Sequence, residues 1–203
     1  MARPDARGAL LDAAERLFAE RGIPTVSDRQ VAEAAGNTNH SAVRYYFGGR
    51  EGLLLALVER HRAGLSAEHR RLFAESDSMV GDVRALVLPM TTSFAALPSP
   101  SWRARFLDQA LHDPPTVSLM RDAGERDSAA ADIVRSVVAR LAHLDPTIVE
   151  ARARLTTQVV SSTCATIEAR AERTGEPARW HEAGSFLCDA IAGMLQAPIT
   201  EPR

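Results

Sequence analysis

The chain has 203 residues, of which 45% are hydrophobic and 25% are charged, so it can form a packed core without metal ions or disulfide bonds. This composition argues against a disordered chain. Alanine, leucine, arginine and glutamate are abundant and aromatic residues are few, which favours helices over sheets. The formal net charge of −2 neither indicates nor excludes a nucleic-acid partner, because DNA contact depends on local positive charge.

The sequence lacks the features of an exported or membrane-bound chain. No stretch approaches the roughly 18 consecutive apolar residues that a membrane-spanning helix requires, and no hydrophobic signal core follows Met1. Cys164 and Cys188 lie within apolar helical patterns, where a free buried thiol is more common than a disulfide or a metal ligand. We therefore expect a cytoplasmic protein that has no membrane partner.

Three short helical segments come first in the chain. Apolar residues recur between residues 7 and 21 with the spacing of one helical face, which predicts the first helix. Ser27 and Gln30 have the spacing of a capping box, so a second helix is expected to begin there. After a polar turn, Asn39 is predicted to cap a short third helix that continues to Tyr46.

Longer helical patterns follow the glycine pair at residues 48 and 49. The first runs from Arg50 to Leu65 and links the two parts of the chain. Further helices are predicted over residues 79–96, 101–112, 115–144, 146–173 and 177–197. Pro89 lies inside one of them and is expected to kink or split it. The sequence therefore predicts an all-α protein of about nine helices.

The second and third predicted helices have the arrangement of a helix-turn-helix, which places its second helix in the major groove of DNA. The first turn of that helix exposes Asn39, His40 and Ser41, whose polar groups can hydrogen-bond to base edges or phosphates. Arg44 follows on the outer face, and Arg29 in the preceding helix can reach a phosphate. The pattern indicates a DNA-reading surface.

Several short motifs occur in order within the first quarter of the chain. They are LLDAAERLFAERG at residues 10–22, VAEAAG at 31–36, YYF at 45–47 and REGLL at 50–54. Together they resemble the N-terminal domain of TetR/AcrR transcriptional regulators. The resemblance implies a three-helix DNA-binding domain, a helical C-terminal domain, and a homodimer that binds palindromic double-stranded operator DNA and releases it when a small molecule binds.

The resemblance also extends to domain limits and to single residues. It implies a helix-turn-helix domain over residues 1–48 and an effector-binding and dimerisation domain over residues 49–203. Tyr45 takes the place of an aromatic residue near phosphate, and Arg50 that of a lysine beside the DNA backbone. Arg44 stands where an aromatic residue is frequent. The predicted DNA-contact set is Ser27, Arg29, Thr38, Asn39, His40, Ser41, Arg44, Tyr45 and Arg50.

Each of these residues also has a simpler interpretation. Arg29 and Arg50 can be solvated surface charges, and His40 can be an ordinary surface residue. A Tyr-Tyr-Phe run on its own is more often core than groove contact, although here we expect Phe47 to be core and Tyr45 to contact DNA. Between residues 29 and 50, however, three arginines oppose a single glutamate, so positive charge concentrates at the proposed contact surface.

The C-terminal part carries apolar residues with two possible roles. An apolar cavity with a few polar anchors is the usual site of a small hydrophobic effector, although a stripe of this kind is more often plain core. The predicted pocket residues are Met90, Phe94, Trp102, Phe106, Gln109, His112 and Met120. The last two helices suit a four-helix dimer interface. Their apolar faces carry Leu155, Val159, Val160, Cys164, Ile167, Phe186, Leu187, Ile191, Met194 and Leu195.

Two other classes of protein remain as alternatives. An architectural or partner-binding DNA-binding protein would have the same fold but no effector. A helical enzyme is less favoured, although His112, Asp113 and His143 offer acid and base groups. The sequence has no glycine-rich phosphate loop, no metal-ligand spacing and no nucleophile signature. We therefore expect a transcriptional regulator that acts as a repressor and has no catalytic residue, metal or cofactor.

Overall fold

The computed structural model describes residues 5–125 and 128–200. Within these ranges every regular element is helical, which confirms the predicted all-α fold class. A short 3₁₀-helix, Ile23–Thr25, follows the first α-helix. The α-helices are α1 (Ala6–Arg21), α2 (Asp28–Ala34), α3 (Ala42–Phe47), α4 (Arg50–Arg62), α5 (Leu65–Ala74), α6 (Met79–Ala95), α7 (Arg103–Leu111), α8 (Pro114–Glu125), α9 (Ser128–Arg140), α10 (Pro146–Thr174) and α11 (Trp180–Gln196).

The described residues contain more α-helices than the nine that the sequence predicts. The predicted linker helix ends at Arg62, and α5 then begins after Gly64, whose φ of 85° suits glycine. The helix predicted over residues 115–144 corresponds to α8 and α9, and α9 ends at Arg140. Residues 126 and 127 of that prediction lie outside the described residues.

Helix α6 continues through Pro89, so the expected split does not occur. A proline inside a helix removes one backbone donor at a cost of about 3 kcal/mol or more. Two hydroxyls hydrogen-bond to carbonyl oxygens of the same segment: Thr91 Oγ1 donates to Leu88 O at 3.2 Å, and Ser93 Oγ donates to Met90 O at 2.7 Å. Packing of α6 against α5, α9 and α11 holds the helix together.

The chain forms two compact units. Among the described residues, unit one comprises residues 5–63, 98–125 and 164–176, and unit two comprises residues 64–97, 128–163 and 177–200. These units reflect packing, whereas the sequence-based division after residue 48 separates two functions and stays a prediction.

Unit one is built around α1, which packs against α2, α4 and α7. The rings of Phe18 and Phe106 lie 6.2 Å apart in this core, and both side chains are fully buried. Burying a side chain of this size contributes roughly 1.5–3 kcal/mol. Buried Glu15 of α1 pairs with Arg60 of α4 and with Arg103 of α7, whose Nε lies 3.0 Å from Glu15 Oε1. The three helices are therefore joined by both apolar and ionic contacts.

Unit two has α6 at its centre, with α5, α9 and α11 packed against it. Gly184 of α11 allows close approach to α6, because a Cβ atom there would lie 2.5 Å from Thr91 Oγ1. The rings of Phe94 and Trp180 are 5.0 Å apart on the same interface. Asp82 of α6 is fully buried and accepts hydrogen bonds from Ser76, Ser136 and Arg140.

Cys164 and Cys188 are buried, free thiols, as the sequence predicts. Burial raises the pKa of Cys164 to about 12 and that of Cys188 to about 11, so both stay protonated at neutral pH. Among the described residues, no helix is both long and apolar enough to cross a lipid bilayer.

Candidate nucleic-acid interface

Helix α2 begins with the capping box that the sequence predicts. Ser27 Oγ accepts a hydrogen bond from the Gln30 backbone N–H at 3.3 Å, and Gln30 Oε1 accepts one from the Ser27 N–H at 2.8 Å. Val31 and Ala32 anchor the helix in the core, whereas the apolar residue Ala34 at its end is exposed. The helix therefore has a narrower buried face than its sequence pattern indicates.

Two asparagines shape the turn between α2 and α3. Asn37 Oδ1 accepts a hydrogen bond from the Asn39 N–H at 2.9 Å, and Asn39 Oδ1 accepts one from the Ser41 N–H at 2.9 Å. Each side chain thus stabilises a local turn two residues ahead. Helix α3 begins at Ala42 rather than directly after Asn39, which corrects the predicted start of the third helix.

Helix α3 has one buried and one exposed face. Ala42 and Val43 are buried, whereas Arg44 is exposed, and Tyr45 is 78% exposed. Tyrosine combines an apolar ring with a hydrogen-bonding hydroxyl, which is why it is enriched at interfaces. The Tyr45 ring meets the Tyr46 ring edge-on, with centroids 4.9 Å apart. The outer face of α3 therefore presents a guanidinium and a supported aromatic ring to solvent.

Phe47, the third aromatic residue of the run, is not the core residue that we expected. Its side chain is only half-buried, and the Arg7 guanidinium lies 5.0 Å from the ring centroid. This cation–π contact shields one face of the ring. Sequence reasoning also gave no role to Tyr46, because adjacent aromatic residues are more often core than surface.

The three arginines between residues 29 and 50 have different partners. Arg29 Nε lies 2.8 Å from Glu33 Oε1, and Arg50 Nη1 lies 3.2 Å from Asp28 Oδ1. Within the described residues, Arg44 has no carboxylate at ion-pair distance. The local excess of positive charge inferred from the sequence is therefore carried mainly by Arg44.

Arg50 is the most constrained of the predicted DNA-contact residues. Besides its pair with Asp28, its guanidinium donates to the carbonyl oxygen of Ile23 and lies 4.7 Å from the Phe18 ring centroid. The side chain is 31% exposed. These contacts connect α4 to the start of α2. The other eight predicted residues, Ser27, Arg29, Thr38, Asn39, His40, Ser41, Arg44 and Tyr45, are exposed.

Comparison with known proteins agrees with this arrangement. The sequence profile of bacterial regulatory proteins of the tetR family matches residues 10–57, which span α1 to α4. A relative from Mycobacterium tuberculosis, named an uncharacterized HTH-type transcriptional regulator, is 34% identical over 158 residues, covering 75% of this chain and 71% of its own. The chain belongs to the TetR family of transcriptional regulators. It is therefore a DNA-binding regulator and not an enzyme.

Solved TetR-family structures share the fold over nearly the whole chain. A TetR family regulator from Marinobacter aquaeolei has a TM-score of 0.61 at 16% identity, covering 93% of this chain and 94% of its own. The ketosteroid transcriptional regulator KstR2 of Mycobacterium tuberculosis has a TM-score of 0.58 at 18% identity, covering 94% and 95%. The fatty acid degradation regulator FadR from Bacillus halodurans has a TM-score of 0.55 at 14% identity, covering 97% of each.

The residues predicted to line an effector pocket fall in both compact units. Met90 and Phe94 belong to unit two, and the other five belong to unit one. Phe94 and Phe106 are buried in the cores already described, and His112 is exposed at the end of α7. Trp102 is half-buried, and its indole nitrogen has no hydrogen-bond partner within the described part of the chain. An open cleft of about 400 Å³ in unit one is lined by none of the seven.

The apolar residues assigned to the dimer interface divide into two groups. Leu187, Ile191 and Leu195 are buried in unit two, on the face of α11 that covers α6, so they are not available to a partner as the sequence suggested. Phe186 is 69% exposed, and Leu155 of α10 is 46% exposed. The free surface of the last two helices is thus smaller than the sequence pattern indicates.

Proposed function

We propose that this TetR-family regulator binds a palindromic operator as a homodimer, represses transcription there, and leaves the DNA when a small hydrophobic effector binds. The DNA-binding part of this proposal is supported by the residues exposed on the outer face of α3. Tyr45 is 78% exposed there, beside an Arg44 guanidinium that has no ion-pair partner among the described residues, while Ala42 and Val43 anchor the opposite face. The proposed site of action is the cytoplasm.

In this proposal α3 enters the major groove. Arg44 donates two hydrogen bonds to the edge of a guanine, a contact that discriminates between bases by about 1–3 kcal/mol. Tyr45 and Arg29 contact phosphates and so fix the register of the helix. Ser27, Thr38, Asn39, His40 and Ser41 supply further polar contacts to the backbone or to base edges. Arg50 orients α2 through Asp28, because its guanidinium is already engaged within the protein.

The proposed dimer interface consists of the exposed faces of α10 and α11. Helix α10 has 29 residues, of which only Cys164 and Glu168 are buried within the chain. Leu155 and Phe186 add exposed apolar surface. Arg152 of α10 donates to the carbonyl oxygens of Leu195 and Ala197 at the end of α11, which fixes the two segments together. Such a pair of helices can form a four-helix interface with its copy.

The inference of an effector rests on the protein family and on the named functions of two structural neighbours. One is a ketosteroid transcriptional regulator and the other a fatty acid degradation regulator, so both are named for apolar compounds. We infer an apolar effector for this chain as well. Its binding would shift the population of the protein towards a form with low affinity for DNA.

Binding-site selection with the purified protein tests the DNA-binding proposal. A random pool of duplexes should yield a sequence with two inverted half-sites, since each subunit of a symmetric dimer places one α3 in a major groove. Half-sites should lie about 10 base pairs apart or a multiple of that spacing. Recovery of a single unrepeated site, or of no preferred sequence, would contradict specific binding by a dimer.

One observation favours a DNA-binding protein without an effector. Phe94 and Phe106, which were predicted to line the pocket, are buried at 1% exposure in packed cores. A thermal-shift screen with sterols, fatty acids and acyl thioesters separates the two proposals. A compound that raises the melting temperature and also releases bound operator supports the sensor. Compounds that bind without affecting DNA release favour the effector-free alternative.

A further inference from the structure

Glu33 lies on α2 beside two residues of the proposed DNA-binding surface. Its Oε1 is 2.8 Å from Arg29 Nε and 3.9 Å from His40 Nδ1. All three side chains are well exposed, at 48% for Glu33, 70% for Arg29 and 53% for His40. The hydrogen bond from Arg29 lowers the pKa of the Glu33 carboxyl, so it is ionised at neutral pH. The Arg29 guanidinium is therefore already hydrogen-bonded to a carboxylate and is not free to bind a DNA phosphate.

We propose that Glu33 is an electrostatic gate of the DNA-binding surface, which withholds Arg29 from phosphate and repels the backbone, and so keeps sequence-independent affinity low. The inference rests on the proposed DNA-binding function. Glu33 makes no favourable contact with DNA in this view. It acts through Arg29, and is a positioning residue rather than a DNA-contact residue.

The charge balance of the helix-turn-helix supports this role. Arg50 is neutralised by Asp28 and Arg29 by Glu33, so the carboxylates of α2 engage two of the three arginines in this region. An exposed pair four residues apart on a helix is weak, because water and salt screen it. A phosphate of the operator can therefore replace Glu33 as the partner of Arg29 once α3 lies in the major groove and Arg44 contacts its base. Before that point the carboxylate reduces attraction to any DNA.

An exposed Arg–Glu pair outside the helix-turn-helix provides a matched control. Glu68 of α5 pairs with Arg71 in unit two, where Arg71 Nη2 lies 2.6 Å from Glu68 Oε1. Replacing Glu68 by glutamine changes the net charge by the same amount as replacing Glu33. Only Glu33→Gln removes a carboxylate from the helix-turn-helix. The comparison separates a local gate from a general effect of net charge.

The experiment measures binding of a labelled duplex carrying the selected operator, and of a random-sequence duplex, between 50 and 200 mM salt. The proteins are wild type, Glu33→Gln, Glu68→Gln, Arg29→Ala and the double variant with Glu33→Gln and Arg29→Ala. Glu33→Gln should bind both duplexes more tightly. On the random-sequence duplex, where Arg29 of the wild type is withheld from phosphate, one added phosphate contact makes the slope of log affinity against log salt steeper by about 0.9, so the gain should shrink by about threefold across this salt range. On the operator, where Arg29 already contacts phosphate, the slope should stay close to that of wild type.

The remaining variants identify the route of the effect. In the Arg29→Ala background, Glu33→Gln should no longer steepen the slope, and Glu68→Gln should behave as wild type. An unchanged slope for Glu33→Gln on the random-sequence duplex, or the same steepening without Arg29, would overturn the gate. Circular dichroism melting should confirm that all variants fold, since both glutamates are exposed. If wild type binds neither duplex, the DNA-binding proposal itself fails, which is distinct from failure of the gate.

Discussion

The carboxylate of Glu168 on α10 accepts a hydrogen bond from the backbone N–H of Arg105 on α7 at 2.9 Å. It also accepts from the Ala104 N–H at 3.3 Å and from Ser101 Oγ at 2.8 Å. One buried side chain thus satisfies the free donors at the start of another helix, which would otherwise lack partners. The relationship joins segments of unit one that are more than 60 residues apart in sequence.

This cap predicts a large effect of a single substitution. Glu168→Ala should lower the free energy of unfolding by about 3 kcal/mol, because it leaves the backbone N–H groups of Ala104 and Arg105 without their acceptor. Glu172→Ala, which removes the more exposed partner of Arg105, should cost less than about 1 kcal/mol. Urea denaturation followed by circular dichroism measures both. Equal losses for the two variants would argue against the capping role.

Asp82 predicts loss of stability in acid. Its burial raises the pKa, but hydrogen bonds from Ser136, Ser76 and Arg140 outweigh this and hold the pKa below its ordinary value. A carboxyl with a lower pKa in the folded state stabilises the protein above its unfolded pKa of about 3.9, and this contribution is lost as pH falls through the folded value. The wild type should therefore lose stability below about pH 5.

The matched variant is Asp82→Asn. It should be less stable than wild type at pH 7 by about 1–3 kcal/mol and should show a weaker dependence on pH in the acid range. Urea titrations at a series of pH values give the two curves. Parallel curves would mean that acid sensitivity arises from other carboxyls.

Arg44 is expected to read bases. Arg44→Ala should relax the selected sequence at one position in each half-site, because a bidentate contact to guanine is lost. Binding-site selection with wild type and variant side by side is the measurement. An unchanged preferred sequence with uniformly weaker binding would assign Arg44 to the DNA backbone instead.

The dimer interface is tested most directly at Phe186. Phe186→Asp should convert a dimer of twice the 22.0 kDa chain mass into a monomer, because a charge would be desolvated in the interface. Val134→Asp on α9 is the control, since Val134 is also apolar and is 49% exposed. Light scattering at micromolar concentration distinguishes the two species. A dimer that survives Phe186→Asp would place the interface elsewhere.

Arg50 and Arg29 should respond differently to truncation. Arg50→Ala removes the pair with Asp28 and the contact over the Phe18 ring, so it should lower the free energy of unfolding by about 1–2 kcal/mol. The slope of log affinity against log salt for DNA binding by Arg50→Ala should stay close to that of wild type. Arg29→Ala should keep wild-type stability and reduce the salt slope by about 0.9. An equal fall in slope for Arg50→Ala would show that Arg50 also contacts phosphate.

Local features of the fold follow directly from sequence spacing. The capping box of Ser27 and Gln30 needs only residues three apart, and the amphipathic pattern of residues 7–21 fixes which face of α1 is buried. The order of short motifs was sufficient to indicate a TetR-type helix-turn-helix. In the capping box and along the buried face of α1, neighbouring groups are only three or four residues apart, so local spacing alone brings them together.

Contacts between distant segments required the tertiary structure. Arg50 is paired with Asp28 from 22 residues earlier and Arg29 with Glu33, which leaves Arg44 without a carboxylate partner among the described residues, although the sequence counted all three arginines as positive charge at the contact surface. Ile191 lies on an apolar stripe suited to a partner, but α6 covers it within the same chain. An apolar stripe in the sequence indicates only that burial is favourable, and a lone charge indicates only that pairing is favourable. Which neighbour provides it depends on how the helices pack.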